Sequence, residues 1–296
     1  MQKSFPRLRL LSSPTQLLTR QDLTDLVLQG IEVRQMVLGH INLHGAAILR
    51  RLPAVREFLE SVDYAYMDGM PFVWLACLCG FPACRGHRNT GLDWIPSLLE
   101  ELGRRQRSVF FVGGNSETAD KIGGYLTKAY PGLRSTTHHG YLSTTESTEL
   151  VDIINSVQPD LLLLGMGMPR QELWLLSHRD RLRFGVALPA GAILEYYVGS
   201  QKPPSRASGR LGLEWLVRLW NEPRRLGRRY LIEPWTLILP ALRDIWHYRV
   251  GRGRSEVNTF KAFVADGGSL GYNSDFYREA DQPDALKQRA WDIGGN

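Results

Sequence analysis

Five short apolar runs, each closing on glycine or polar residues and each followed or preceded by a stretch with helical spacing, constrain this chain more than any other feature. They are VRQMVLGHINL (33–43), DYAYMDGM (63–70), RSVFFVGG (107–114), PDLLLLGMGM (159–168) and RFGVALPAGA (183–192). Runs this short and this uniformly apolar suit strands covered on both faces, which is the environment of a parallel sheet. Residues 45–61, 91–106, 116–130, 147–158 and 170–182 carry apolar positions at helical spacing, many behind a capping residue. Strand and helix alternate at a steady interval. The expectation is an α/β domain over residues 21–201, a Rossmann-like doubly wound and mostly parallel sheet, with ligands at the carboxyl ends of its strands.

Outside that domain the composition changes. Residues 1–20 form an N-terminal extension with neither a long apolar run nor a small-residue cleavage site, and no stretch of about 18 uninterrupted apolar residues occurs anywhere. The expectation is a cytoplasmic protein. Residues 202–250 open on a proline-rich break and continue as a basic helical C-terminal appendage. Lys202, Arg206, Arg210, Arg218, Arg224, Arg225, Arg228 and Arg229 face only Glu214 and Glu222 across its first part. Such a cluster suits a diphosphate, anionic lipid headgroups or nucleic acid, and equally a solvated helix face. The following IEPWTLILPALRDIWHYRV is broken by Pro234 and Pro240 and too short to span a bilayer, so it reads either as an interfacial segment with Trp235 and Trp246 at headgroup depth or as a buried closing helix. Residues 251–296 turn polar and glycine-rich, the composition of a mobile tail. The three cysteines, Cys77, Cys79 and Cys84, stand near His87, but two lie inside the apolar run FVWLACLCGF, where reduced thiols behave as small buried hydrophobes. No metal site is expected.

Four loops carry groups that chemistry can use. In YMDGMP, Asp68 ends a strand and is placed to accept a proton from an attacking hydroxyl, although Asp-Gly is also a common turn. In RGHRNTGLDWI, Asn89 or Thr90 caps a helix and Arg88 stands just ahead of its entrance, an arrangement that suits an anion or plain capping. FVGGNSETA and LLLLGMGMPRQE set Gly113, Gly165 and Gly167 between strand and helix, as phosphate-binding loops do. The second of these has Arg170 where the third glycine of the dinucleotide fingerprint would fall.

Taken in order, INLH, YMDGMP, RNTGLD, FFVGGNSETA, HHGYL, LLLLGMGMPRQE and GLEWLVRLWNEPRRLGRRYL give a chain that resembles the WecG/TagA/CpsF family of glycosyltransferases over about residues 30–232. The resemblance implies an inverting, metal-independent transferase without cofactor. It would carry a sugar from a UDP-sugar to a polyprenyl-diphosphate-linked saccharide in surface polysaccharide synthesis, peripherally attached to the anionic inner-membrane surface. It also implies roles: Asp68 the general base, Asn42 an active-site asparagine, and Arg88 and Gln171 substrate ligands. Arg218, Arg224, Arg225, Arg228 and Arg229 would belong to an appendage that closes on the diphosphate. His40 stands where the family has threonine and Glu195 where it has aspartate. Both join the candidate residues, and both bear on which sugar and acceptor are used.

The chemistry agrees with that implication, because inverting transfer needs a base and compensation for charge on the departing diphosphate. No Asp-x-Asp pair for a metal occurs in the sequence, and arginine forks can supply that compensation. A nucleic-acid binder would have no need of the Asp68 and Gln171 loops, and no nucleic-acid motif is present. An NAD-dependent oxidoreductase lacks its full glycine fingerprint. A noncatalytic membrane-associated scaffold of a polysaccharide assembly is the leading alternative. Self-association is left open.

Overall fold

The computed structural model describes residues 5–200, 219–220 and 226–265. A six-stranded sheet has the order β4-β3-β8-β7-β5-β6, where β3 is Met36–Ile41, β4 Tyr64–Met67, β5 Ser108–Gly113, β6 Arg134–His138, β7 Leu161–Gly165 and β8 Val186–Pro189. The pairs β3–β8, β8–β7, β7–β5 and β5–β6 are all parallel. Parallel neighbours require a crossover between strands, and helices supply it. The doubly wound α/β expectation is met.

All five apolar runs contain strands. The sixth, β6, was not foreseen, because RSTTH has no apolar run; it lies at the sheet edge, where its side chains remain partly exposed. By contrast β7, LLLLG, is buried throughout.

The chain divides into two compact units, with divisions inside β3 and after Asn89. One comprises residues 20–39 and 90–202, together with 271–296, which lie outside the described residues. It holds α1 (Arg20–Val33), α5 (Gly91–Arg104), β5, α6 (Ser116–Ala129), β6, α7 (Thr144–Val157), β7, α8 (Arg170–His178), β8 and α9 (Ile193–Tyr197). Phe110, Phe111, Leu161–Leu164, Trp94, Leu98, Ile122 and Ile154 are fully buried in it. Each such side chain contributes roughly 1.5–3 kcal/mol.

The other unit comprises residues 1–19, 40–89 and 203–270. Its N-terminal hairpin pairs β1 (Leu8–Leu10) with β2 (Ser13–Thr15) and docks on β4, Gln16 N–H donating to Ala65 O at 2.8 Å and Ala65 N–H to Gln16 Oε1 at 2.8 Å. Helices α2 (Leu43–Leu49), α3 (Pro53–Ser61), α4 (Met70–Cys79), α10 (Glu233–Arg249) and α11 (Arg254–Ala265) complete it. Residues 254–265, read from composition as the start of a polar tail, are thus helical, and Phe260 packs at 5.5 Å from Phe81. Residues 266–296 lie outside the described residues.

The proline break expected in IEPWTLILPALRDIWHYRV is not there: α10 runs continuously through Pro240, and Pro234 sits in its first turn, where a missing N–H costs little. The helix buries Leu237 and Tyr248 and exposes Trp235, Leu239, Leu242 and Trp246, one stripe at helical spacing. Packed against it, α4 exposes Trp74 and Leu78. Among the described residues no helix is long and apolar enough to cross a membrane.

Candidate active site

Asp68 follows β4 directly, its N–H donating to the Ile41 carbonyl at the end of β3. It is not part of an Asp-Gly turn. Gly69 is the N-cap of α4 at φ 100° and ψ 156°, a conformation open essentially to glycine alone, and Pro71 fixes the helix start. Glycine is what lets the chain pass from strand to helix while leaving the Asp68 carboxylate at the junction.

Asn42 caps α2. Its Oδ1 accepts the Gly45 N–H at 2.9 Å and its Nδ2 donates to Asp68 Oδ2 at 3.0 Å. The cap settles the amide's orientation, because an oxygen committed to a backbone N–H leaves only the NH2 to face the carboxylate. Asp68 is half-buried, and its Oδ1 has no partner among the described residues. One carboxylate oxygen is anchored and the other is open to a donor. His40, two residues earlier on β3, sets its ring 5.7 Å from that of Tyr66, and its buried Nδ1 has no partner among the described residues.

Arg88 ends the short turn Arg85–His87 and is half-buried. Asn89, buried to 1%, pins this loop: its N–H donates to the Met67 carbonyl and its Nδ2 to the Leu18 carbonyl at 2.7 Å. Capping of α5 differs from expectation. Thr90 occupies the N-cap but makes no side-chain cap; its hydroxyl instead donates to Asp93 Oδ2 at 2.8 Å.

The other unit presents glycine. Gly113 and Gly165 face each other across β5 and β7, and a Cβ on either would stand 2.6 Å from the Phe111 ring. The ring fills the space side chains would need, so both strand ends are bare backbone. The helices that follow begin at Ser116 and Arg170, the first capped by Asn115, whose Oδ1 accepts the Thr118 N–H at 2.9 Å.

Gln171, buried to 1%, ties this region together. Its Oε1 accepts the N–H of Gly167 at 3.2 Å and of Gly191 at 3.1 Å, while its Nε2 donates to Glu172 Oε1 at 2.8 Å. Two strand-end loops are thereby held by one amide. Glu195 lies half-buried on α9. Arg170 places its guanidinium 5.1 Å from the centroid of the exposed Tyr141 ring.

Arg228 is exposed at the start of a π turn, Arg228–Ile232, that leads into α10. Arg218, Arg224 and Arg225, and the side chain of Arg229, lie outside the described residues. Of the cysteines, Cys79 is buried and its thiol pushed up to about 12 by that burial; Cys77, expected to be buried, is exposed on α4, its thiol donating to Ala83 O at 2.9 Å. No group of three or more His, Cys, Asp or Glu side chains suited to a metal ion occurs among the described residues.

Gly191 and two residues beside the Asn42 loop, His44 and Glu233, escaped sequence reasoning, and Asn89 stands out there only as a possible helix cap. Gly191 carried a signal, a glycine just past a buried strand; the others did not, since their partners lie 71 and 189 residues away.

The fold defines an open, parallel α/β protein whose strands lead, in one unit, to a carboxylate held by an amide and, in the other, to glycine loops held by an amide. The sequence matches the profile of the glycosyl transferase WecG/TagA/CpsF family over residues 8–251, and the chain belongs to that family. Among its relatives is the N-acetylglucosaminyldiphosphoundecaprenol N-acetyl-beta-D-mannosaminyltransferase of Staphylococcus aureus strain MW2, 27% identical over 175 residues, 59% of this chain and 68% of that protein. The enzyme of the same name from strain NCTC 8325 / PS 47 matches to the same extent.

Proposed function

We propose that this chain moves a hexose or N-acetylhexosamine-type sugar from a UDP-sugar to a polyprenyl-diphosphate-linked saccharide, with inversion and with Asp68 as general base. The observation that carries the reading is the Asn42–Asp68 pair, in which one carboxylate oxygen is anchored at 3.0 Å and the other is open. The acceptor hydroxyl attacks the anomeric carbon of the donor and a new C–O bond forms. Its proton passes to Asp68, the bond from the sugar to the diphosphate breaks, and the electron pair leaves with UDP. The relatives' name, which specifies an N-acetylglucosaminyl-diphosphoundecaprenol acceptor and an N-acetylmannosaminyl group, supports that acceptor class and makes N-acetylmannosamine the first sugar to test.

The bare backbone at Gly113, Gly165 and Gly167 is proposed to let the donor's phosphates approach closely, and Gln171, which accepts the Gly167 N–H, to hold the loop in shape. Arg88 and the appendage arginines Arg218, Arg224, Arg225, Arg228 and Arg229 compensate the leaving diphosphate in place of a metal. Glu195 and His40 are proposed to set donor and acceptor preference, His40 being the second candidate for the base.

The exposed stripe of α10 and its neighbours Trp74 and Leu78 are proposed to rest on the anionic inner leaflet. Arg243, Arg252 and Arg254, all exposed on or beside α10, supply the matching charge. The protein would then work at the cytoplasmic face of the membrane.

The test is incubation of the full chain with several UDP-sugars and a short polyprenyl-diphosphate N-acetylglucosamine, read by the mass of the lipid product. One sugar added to the lipid is the expected result. No product with any donor would leave the scaffold reading in its place.

A further inference from the structure

The turn that carries the Asn42 amide is held from one side by a contact that none of the transfer chemistry uses. Two residues along, in the first turn of α2, His44 Nδ1 lies 2.7 Å from Glu233 Oε2, with Glu233 only 7% and His44 21% exposed at their side chains. Glu233 is the first residue of α10, reached directly from the π turn Arg228–Ile232, and its N–H donates to Arg228 O. A carboxylate this buried is costly to leave without its partner, so the pair fixes the first turn of α2 to the start of α10.

The geometry around it gives that contact a direction. Helix α10 packs on both α2 and α4, the helices that begin one residue after Asn42 and two after Asp68. It is clamped to the end of α4 by Arg249, whose Nε donates to Leu78 O at 2.7 Å and Nη2 to Cys77 O at 3.2 Å. It is clamped to the hairpin by Asp244, which accepts the Leu11 N–H at 2.6 Å, and by Tyr248, whose hydroxyl donates to Arg9 O at 2.9 Å. These three contacts fix the body of the helix. The His44–Glu233 pair ties it to the turn that carries the Asn42 cap.

We propose that His44 is a positioning residue for the reaction: paired with Glu233, it holds the first turn of α2 so that the Asn42 amide keeps Asp68 aimed at the acceptor. The inference rests on the reading of Asp68 as base. Small displacements of a reacting group cost turnover steeply, on the order of a hundredfold for about 1 Å, while leaving substrate affinity to other contacts.

The experiment measures kcat and KM for the lipid acceptor in the full chain, with UDP-N-acetylmannosamine or whichever UDP-sugar the donor screen selects. His44→Ala and Glu233→Ala should each lower kcat by about tenfold to a hundredfold with KM little changed. His44→Asn, whose amide NH2 stands where Nδ1 does, should recover most of that loss. In an Asn42→Ala background His44→Ala should cost nothing further, because the effect passes through that amide. Thermal unfolding is followed in every variant. Parent-like kcat in His44→Ala, equal loss in His44→Asn and His44→Ala, or an undiminished loss in the Asn42→Ala background would each overturn the proposal. Asp68→Asn run alongside separates the two ideas. Full activity there removes the base itself, whereas an inactive Asp68→Asn beside a fully active His44→Ala removes only the link.

Discussion

In the unit that carries β4, the strand ends lead to side chains: Asn42 and Asp68, joined at 3.0 Å, with an oxygen of Asp68 left open. In the unit that carries β5, β7 and β8, they lead to backbone: Gly113 and Gly165 cleared of side chains by the Phe111 ring, and Gly167 and Gly191 drawn onto one buried amide oxygen. Both regions use a carboxamide as the organiser, Asn42 in one and Gln171 in the other, and each amide is satisfied on both its oxygen and its nitrogen. What the amide holds differs. In the first it anchors one oxygen of a carboxylate; in the second it takes up two loop N–H groups and so fixes the shape of the glycine loops. Proton transfer needs a titratable oxygen with a free lone pair, whereas a phosphate is met best by donors with nothing in front of them.

The largest effect should come from removing the proposed proton acceptor. Asp68→Asn keeps the shape of the loop and should lower turnover by about 100- to 10,000-fold with the fold unchanged, checked by product formation beside thermal unfolding. Transfer at the parent's rate would move the base to His40, whose Nδ1 has no partner among the described residues.

Gln171→Leu breaks the other side of the comparison. It takes the side-chain acceptor from the half-buried Gly167 N–H and leaves the Gly191 N–H to the Leu164 carbonyl at 3.2 Å, each lost hydrogen bond costing about 0.5–1.5 kcal/mol. Donor affinity should fall by about tenfold or more and the unfolding temperature should drop, while turnover at saturating donor changes less than in Asp68→Asn. A purely kcat effect would show that the loop is not a donor site.

How much of this could be read from sequence depended on the range of the contacts involved. The sheet was legible because a strand such as LLLLG announces its own burial, and β6 was missed because an edge strand such as RSTTH can stay half polar. Asp68 and the glycines stood out because strand ends, Asp-Gly and Gly-x-Gly are local patterns. What Gln171 and Asn42 do with both ends of their amides was not legible, since it depends on which N–H groups tertiary structure brings near. The His44–Glu233 pair spans 189 residues and has no local signature at all. Prolines misled in α10, because helix-breaking is a local tendency of about 3 kcal/mol that packing on α2 and α4 overrides.

Smaller effects are expected away from both loop sets. Replacing Trp235 and Trp246 with serine should weaken co-sedimentation with anionic vesicles severalfold, each side chain contributing at most about 1.5–3 kcal/mol of burial. High salt should release the parent only in part, since it screens the arginines and leaves the aromatic contribution. Vesicle binding unchanged in the double variant would remove α10 from the docking surface. Smallest of all, EDTA should leave turnover as it was, and a strict requirement for added Mg2+ or Mn2+ would overturn the assignment of leaving-group compensation to arginine.

The division of labour between the two loop sets is tested most directly by titrating UDP into Asp68→Asn and Gln171→Leu by calorimetry, beside the parent. Asp68→Asn, inactive in transfer, should bind UDP as the parent does, and Gln171→Leu should bind it about tenfold or more weakly. UDP affinity lost in Asp68→Asn and kept in Gln171→Leu would contradict the account.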